Sequence, residues 1–262
     1  MVSEAMQEAQ RILRRNWLKA ILFTGLSYVL LLVFGHHFAQ INWNDGSFSF
    51  STFTVSTGMG LIDILNPVGS FVTSIIVFAI IDFMYGLKHR EKRFFSAYLY
   101  AFKNPHLLYK GLFMTMITMG LTFLALMLVS FFMLSLLMDA STLFGILLLG
   151  GLALAFTYLY TGFAHGMYIL YENPKQSFFS VILYSFKMIR GNRFAFIGFL
   201  ILFALIQALG MLALMVGLFV SLTFYHAARV GFYENVKGRS PMQTNTQRDF
   251  KKAMKEIERS SS

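Results

Sequence analysis

No cysteine occurs among the 262 residues, only four prolines interrupt them, and just 13% are charged. The missing thiol excludes a disulfide framework, thiolate catalysis and any cysteine-held metal. Scarcity of charge excludes a water-soluble domain of this length, because 56% of the residues are hydrophobic and the mean hydropathy is +0.62. There is no HExxH pair, no GxSxG elbow, no GxxxxGK[ST] loop and no GxGxxG turn. No cofactor or metal is therefore expected, and the chain reads as non-enzymatic.

What is present is long apolar runs. Stretches able to cross roughly 30 Å of hydrocarbon lie at about 17–35, 67–87, 112–137 and 143–170. One continuous run after Phe194 holds two more, at 194–213 and 215–235, joined by a tight turn near Gly210 to Gly217. A re-entrant pair, with its backbone covered by protein or water, is the other reading of this last run. The predicted fold is an all-α polytopic membrane protein: six transmembrane helices arranged as three hairpins, filling a domain over 1–238. A linker and a short amphipathic helix over 239–262 follow, the helix starting near Thr246 with Phe250, Met254 and Ile257 along one line.

The 22 Lys and Arg residues test that arrangement. They are Arg11, Arg14, Arg15 and Lys19; then Lys88, Arg90, Lys92, Arg93, Lys103 and Lys110; then Lys175, Lys187, Arg190 and Arg193; and finally eight from Arg229 to Arg259. With six spans every one of them falls on a single side, and the opposite connections carry only Asp45, Asp63 and Asp139. Positive charge accumulates on the cytoplasmic side, so both termini are predicted to be cytoplasmic. The first apolar stretch is followed by GHHFAQ and not by a small-residue cleavage site, so it reads as an uncleaved anchor. The net charge of +10 becomes a face that attracts anionic lipid. Nucleic acid is not an expected partner, because these residues hug the spans and form no separate basic domain.

One phrase occurs twice. FFSAYLYAFKN begins at Phe94 and FFSVILYSFKM at Phe178, identical at seven of eleven positions and 84 residues apart. In each copy bulky apolar residues recur at i, i+1, i+4, i+5 and i+8, one face of a helix, with Ser, Tyr and Lys on the other. Helices of this kind lie in the membrane interface, and they are predicted at 92–104 and 174–190. Asn173, Pro174 and Gln176 read as the start of the second and Gly191 as its stop. The lipid-facing set is Phe94, Phe95, Phe102 and Lys103, with Phe178, Phe179, Phe186, Lys187, Arg190 and Arg193. A looser third version, near 3–15, places Met6, Ala9, Ile12 and Leu13 near one face. Each hairpin is thus preceded by a cytoplasmic interfacial helix, and the phrase YEN recurs at Tyr171 and Tyr233.

Ionisable residues inside spans are costly and mark sites or bundle interiors. Asp82, His165, His226 and Arg229 come from the second, fourth and sixth spans at similar depth, so they form a candidate intramembrane site with Asp82 accepting from a histidine or from Arg229. The structural alternative is lipid contact by residues close to the headgroups. Adjacent His36 and His37, with Asp45, read as interfacial polar residues because neighbouring positions on a helix diverge by about 100°. After the NDG turn at 44–46, SFSFSTFTV suggests a small hairpin rich in Phe48, Phe50 and Phe53. Gly150, Gly151, Gly198 and Gly210 read as points of close helix approach.

The segments AQRILRRNWLKAI, SFKMIRGNRFAFIGF and YHAARVGFYENVKG resemble an uncharacterised family of integral membrane proteins from Gram-positive bacteria, a domain-of-unknown-function family. More remotely the layout is similar to the membrane portion of some bacterial glycerophosphodiester phosphodiesterases, whose soluble catalytic barrel has no counterpart here. The resemblance implies a bacterial plasma-membrane location and six spans, and brings no catalytic residues. The leading expectation is a non-enzymatic protein engaging anionic lipid, or a protein partner, at its cytoplasmic face, where it organises or modulates the envelope. The alternative is a small transporter or lipid-translocating protein with a cytoplasm-facing polar cavity.

Overall fold

A computed structural model describes residues 1–34, 41–44, 47–50, 67–91, 93–137, 143–212 and 214–239. The elements run α1 (Val2–Leu13), α2 (Trp17–Phe34), β1 (Ile41–Asn44), β2 (Ser47–Phe50), α3 (Pro67–Lys88), α4 (Phe95–Tyr98), α5 (Tyr100–Lys103) and α6 (Pro105–Leu137). They continue through α7 (Leu143–Phe163), α8 (Gly166–Glu172), α9 (Phe178–Ile189), α10 (Arg193–Leu212) and α11 (Leu214–Gly238). The described chain is helical apart from one antiparallel hairpin, in which Ile41 pairs with Phe50 and Asn44 with Ser47. Among the described residues two helices are long and apolar enough to cross a membrane, Gly69–Lys88 and Arg193–Leu212. Phe53, the His36–His37 pair and the predicted C-terminal helix lie outside the described residues.

The helices associate as antiparallel neighbours, α2 with α3, α6 with α7 and α10 with α11, and α3 also packs against α6. Helices α10 and α11 meet glycine against glycine. A Cβ at Gly210 would stand 2.8 Å from the Gly217 carbonyl oxygen. Gly150, Gly151 and Gly198 face open space instead, so three of the four predicted approach points are not contacts. The core is aromatic: Phe23 stacks on Phe83 with ring centroids 3.9 Å apart, and Phe199 meets Phe203 at 4.7 Å and Phe232 at 5.1 Å.

The fourth predicted span is not continuous. Tyr168 N–H donates to the His165 carbonyl three residues back at 3.1 Å, so the Ala164 carbonyl loses its helical partner and the helix is interrupted between α7 and α8. Gly162 and Gly166 flank the interruption. The Phe186 ring occupies the space where a Gly162 side chain would begin, and Met114 that of Gly166.

Three corners of the chain share one construction. Asn16, Asn104 and Asn192 each donate their N–H to the carbonyl three residues back, on Leu13, Ala101 and Ile189, at 2.8, 3.3 and 2.9 Å. Each then accepts the first bond of the following long helix, from Ala20, Leu107 and Phe196. The amphipathic segments therefore join α2, α6 and α10 through similar turns.

The amphipathic segments themselves depart from expectation. The first copy of the repeated phrase is two short turns, α4 and α5, separated at Leu99. The second begins at Phe178 after Ser177, and Asn173 instead ends α8. Gly191 does stop it, with φ +89°. Phe95, Leu99 and Phe102 point outward, as do Phe179 and Leu183, with Phe95 and Phe179 about equally exposed at 75% and 76%. Phe94 turns inward onto Phe23 and Phe83, Phe178 onto Phe113, and Phe186 onto Gly162. Part of the polar side of each segment faces protein, while Ser96, Lys103, Ser180 and Lys187 stay exposed: Ser185 donates to the Gly162 carbonyl at 2.5 Å and Tyr100 to the Tyr171 carbonyl at 2.9 Å. If Phe95 and Phe179 lie against an apolar medium, replacing both by serine is expected to raise hydrogen exchange over 94–104 and 178–188, since removing such a side chain from apolar surroundings is worth about 1.5–3 kcal/mol. Unchanged protection there would show that inward contacts alone hold these segments.

The N-terminal helix departs further. Its apolar stripe, Ala5, Ala9, Ile12 and Leu13, is buried against protein and not laid in an interface; Met6 is only half-buried. Its principal neighbour is α11, where Ala227, Ala228 and Gly231 present a small-residue surface.

Candidate functional site

The basic end of the bundle is tied together by a ring of side chains. Lys88 stands six residues before Phe94, Glu172 six before Phe178, and Glu234 follows Tyr233 as Glu172 follows Tyr171. These equivalent positions engage one another across units. Lys88 pairs with Glu234 of α11 and with Glu8 of α1 at 3.0 Å. Tyr233 donates to Glu172 at 2.8 Å, and Lys237 donates to both oxygens of that carboxylate at 2.8 and 2.7 Å. Tyr171 donates to Asp82 at 2.9 Å. The ends of α3, α11 and α8 are thus linked in a closed circuit, and Arg239 clasps Glu4 at its rim at 2.8 Å.

Asp82, 2% exposed, accepts from neither a histidine nor Arg229. Arg93 curls back from the connection after α3 and donates to the same carboxylate oxygen as Tyr171, at 2.6 Å. Gly86 makes room for it, since a side chain there would begin 3.1 Å from the Arg93 stem. A local charge carried on a short connection reaches Asp82 before any charge on a distant helix can. Burial, and then the nearby Asp82 carboxylate, hold the Tyr100 phenol above its ordinary value, so it remains a donor to the Tyr171 carbonyl.

The other three residues gather away from Asp82. Arg229 donates to the freed Ala164 carbonyl at 2.7 Å and to the Tyr225 hydroxyl at 3.1 Å, repairing the helix interruption from 65 residues away. His226, one turn earlier on α11, shares a 3.0 Å hydrogen bond with Tyr28 of α2. His165 is fully buried with its ring edge against Phe196, Phe232 and Tyr233. The predicted foursome is therefore two sites, Asp82 with Arg93 and Tyr171, and Arg229 with the two histidines. Arg93, Tyr171, Tyr28 and Tyr225 escaped the sequence reading, although the recurrent YEN phrase carried both ring tyrosines. Among the described residues no group of three or more His, Asp and Glu side chains could hold a metal ion.

Surface cations divide in the same manner. Lys103, Lys187 and Arg190 are exposed. Arg193 is not a free interfacial charge, because its guanidinium lies 3.3 Å over the Tyr158 ring. Lys110 is buried and donates to the Pro174 and Gln176 carbonyls at 2.9 and 2.6 Å, fixing the turn ahead of α9.

Comparison with known proteins gives no matching family model, no matching curated protein and no matching solved structure. The functional reading consequently rests on the geometry of this chain.

Proposed function

We propose that the chain is a six-span protein of the bacterial plasma membrane, non-enzymatic, with both termini cytoplasmic, whose basic face engages anionic lipid and thereby organises or modulates the envelope. One observation carries the reading. Glu4, Glu8, Asp82, Glu91, Glu172 and Glu234 all stand in internal ion pairs. Exposed Arg14, Arg15, Lys19, Lys103, Lys187 and Arg190 have no such carboxylate partner among the described residues. Acids close the bundle, and the surplus cations beside outward Phe95, Phe102 and Phe179 suit a surface of phosphates over hydrocarbon. A transport cavity built from Asp82, His165, His226 and Arg229 has less support, because Asp82 is consumed by Arg93 and aromatic rings enclose His165.

Retained lipid tests the reading. Protein purified in mild detergent is expected to keep phosphatidylglycerol over phosphatidylcholine, and Lys103→Gln, Lys187→Gln and Arg190→Gln together should erase much of that preference, at about 1 kcal/mol per charge near the surface. An unaltered ratio in the triple variant would remove the anionic-lipid reading. Orientation is tested separately: single cysteines at Ser51 and Ala140 should label from outside, and those at Ser96, Ser180 and Ser260 only after permeabilisation. Outside labelling at Ser180 would break the six-span arrangement.

A further inference from the structure

Arg229 has no counter-ion among the described residues. Every carboxylate among the described residues is paired elsewhere, and its own partners are a carbonyl, a hydroxyl and the faces of Tyr168 and Tyr225, 5.5 and 5.8 Å from the guanidinium carbon. Its Nε–H is enclosed and bonded to nothing, and both ring nitrogens of His165, next in sequence to the Ala164 carbonyl that Arg229 holds, are likewise without partners. Neutral acceptors and ring faces compensate a desolvated guanidinium only in part. Polar atoms left unpaired at one place in a dry interior call for a missing partner.

The chemistry of that partner follows from the donors. An unpaired guanidinium N–H and an unpaired imidazole each call for an acceptor, and the acceptor matching a planar fork of N–H groups while neutralising its charge is an oxyanion. Tyr28, Tyr225, His226 and Arg229 are half-buried, whereas His165 and Tyr168 are fully buried. We infer that Arg229 and His165, at the interruption between α7 and α8, bind a phosphate oxyanion, supplied by the headgroup of an anionic lipid or by free phosphate. The inference deepens the lipid reading above by adding an internal site to the surface, and it rests on that reading for the membrane setting.

Lipid-stripped full-length protein in detergent provides the test, with thermal unfolding followed while dihexanoyl phosphatidylglycerol, dihexanoyl phosphatidylcholine or inorganic phosphate is added at matched ionic strength. Phosphatidylglycerol is expected to raise the midpoint and phosphatidylcholine to leave it unmoved. A rise with inorganic phosphate alone would identify free phosphate as the ligand. Arg229→Gln should abolish the rise, while the Lys103, Lys187 and Arg190 triple variant should keep it, which separates failure of this site from failure of the surface reading. His165→Phe preserves ring volume and the Arg229–Ala164 bond while deleting the N–H, and should weaken apparent affinity about 10-fold. It decides the matter if Arg229→Gln does not fold. An unchanged affinity in His165→Phe, an undiminished rise in Arg229→Gln, or no response of the unaltered chain to either phosphate source would overturn the inference.

Discussion

Asp82→Ala is expected to cost the bundle about 3–4 kcal/mol, since it removes two hydrogen bonds to one buried charge. The substitution takes one of its two carboxylate partners from the Arg93 guanidinium, about a third exposed and still paired with Glu91, and strands the Tyr171 hydroxyl at the same time. Asp82→Asn should cost about half as much, because an amide oxygen still accepts from Tyr171 while the charge that holds Arg93 is gone. Thermal unfolding in detergent measures both. A midpoint equal to that of the unaltered chain would mean that the pair contributes nothing to the fold. Reconstituted vesicles add a second readout: neither variant should change solute movement, whereas impaired flux with unchanged stability would revive the transport reading.

Gly210→Val should be comparably disruptive for its hairpin. The obstacle is the backbone of Gly217, 2.8 Å from where the new Cβ would stand, with the Ser221 hydroxyl at 2.9 Å. Backbone cannot swing aside as a side-chain tip can, so α10 and α11 must separate, at about 3 kcal/mol or more. Alanine already supplies the offending atom and should show most of the effect. Hydrogen exchange through 203–221 is the measurement, and protection undisturbed by Gly210→Ala would show that the two helices approach differently.

Periodicity and punctuation reported the helices well. α2, α3, α10 and α11 begin and end within a few residues of their predicted limits, because apolar length and flanking charge are local properties of sequence. The break at Ala164 was not legible, since a carbonyl freed by one shifted hydrogen bond leaves no mark on composition, and its replacement donor, Arg229, lies 65 residues away. Asn173 and Pro174 offered plausible capping chemistry, yet Lys110 from α6 holds the Pro174 and Gln176 carbonyls in a turn, so the helix starts later, at Phe178. The amphipathic faces were found but partly inverted. Ser185 and Tyr100 find carbonyls inside, while Phe95 and Phe179 face out.

The docking of α1 on α11 sets an order of events during synthesis. Glu4 and its partner Arg239 are 235 positions apart, so at ribosomal speeds the first helix waits roughly 10–50 s for the surface that will bury it. Throughout that interval Ala5, Ala9, Ile12 and Leu13 lack the α11 surface that later buries them, and among the other neighbours of α1 only α3, whose Lys88 pairs with Glu8, is made early. The nascent chain therefore holds its first helix incompletely packed until Ala227, Ala228 and Gly231 arrive with the last helix.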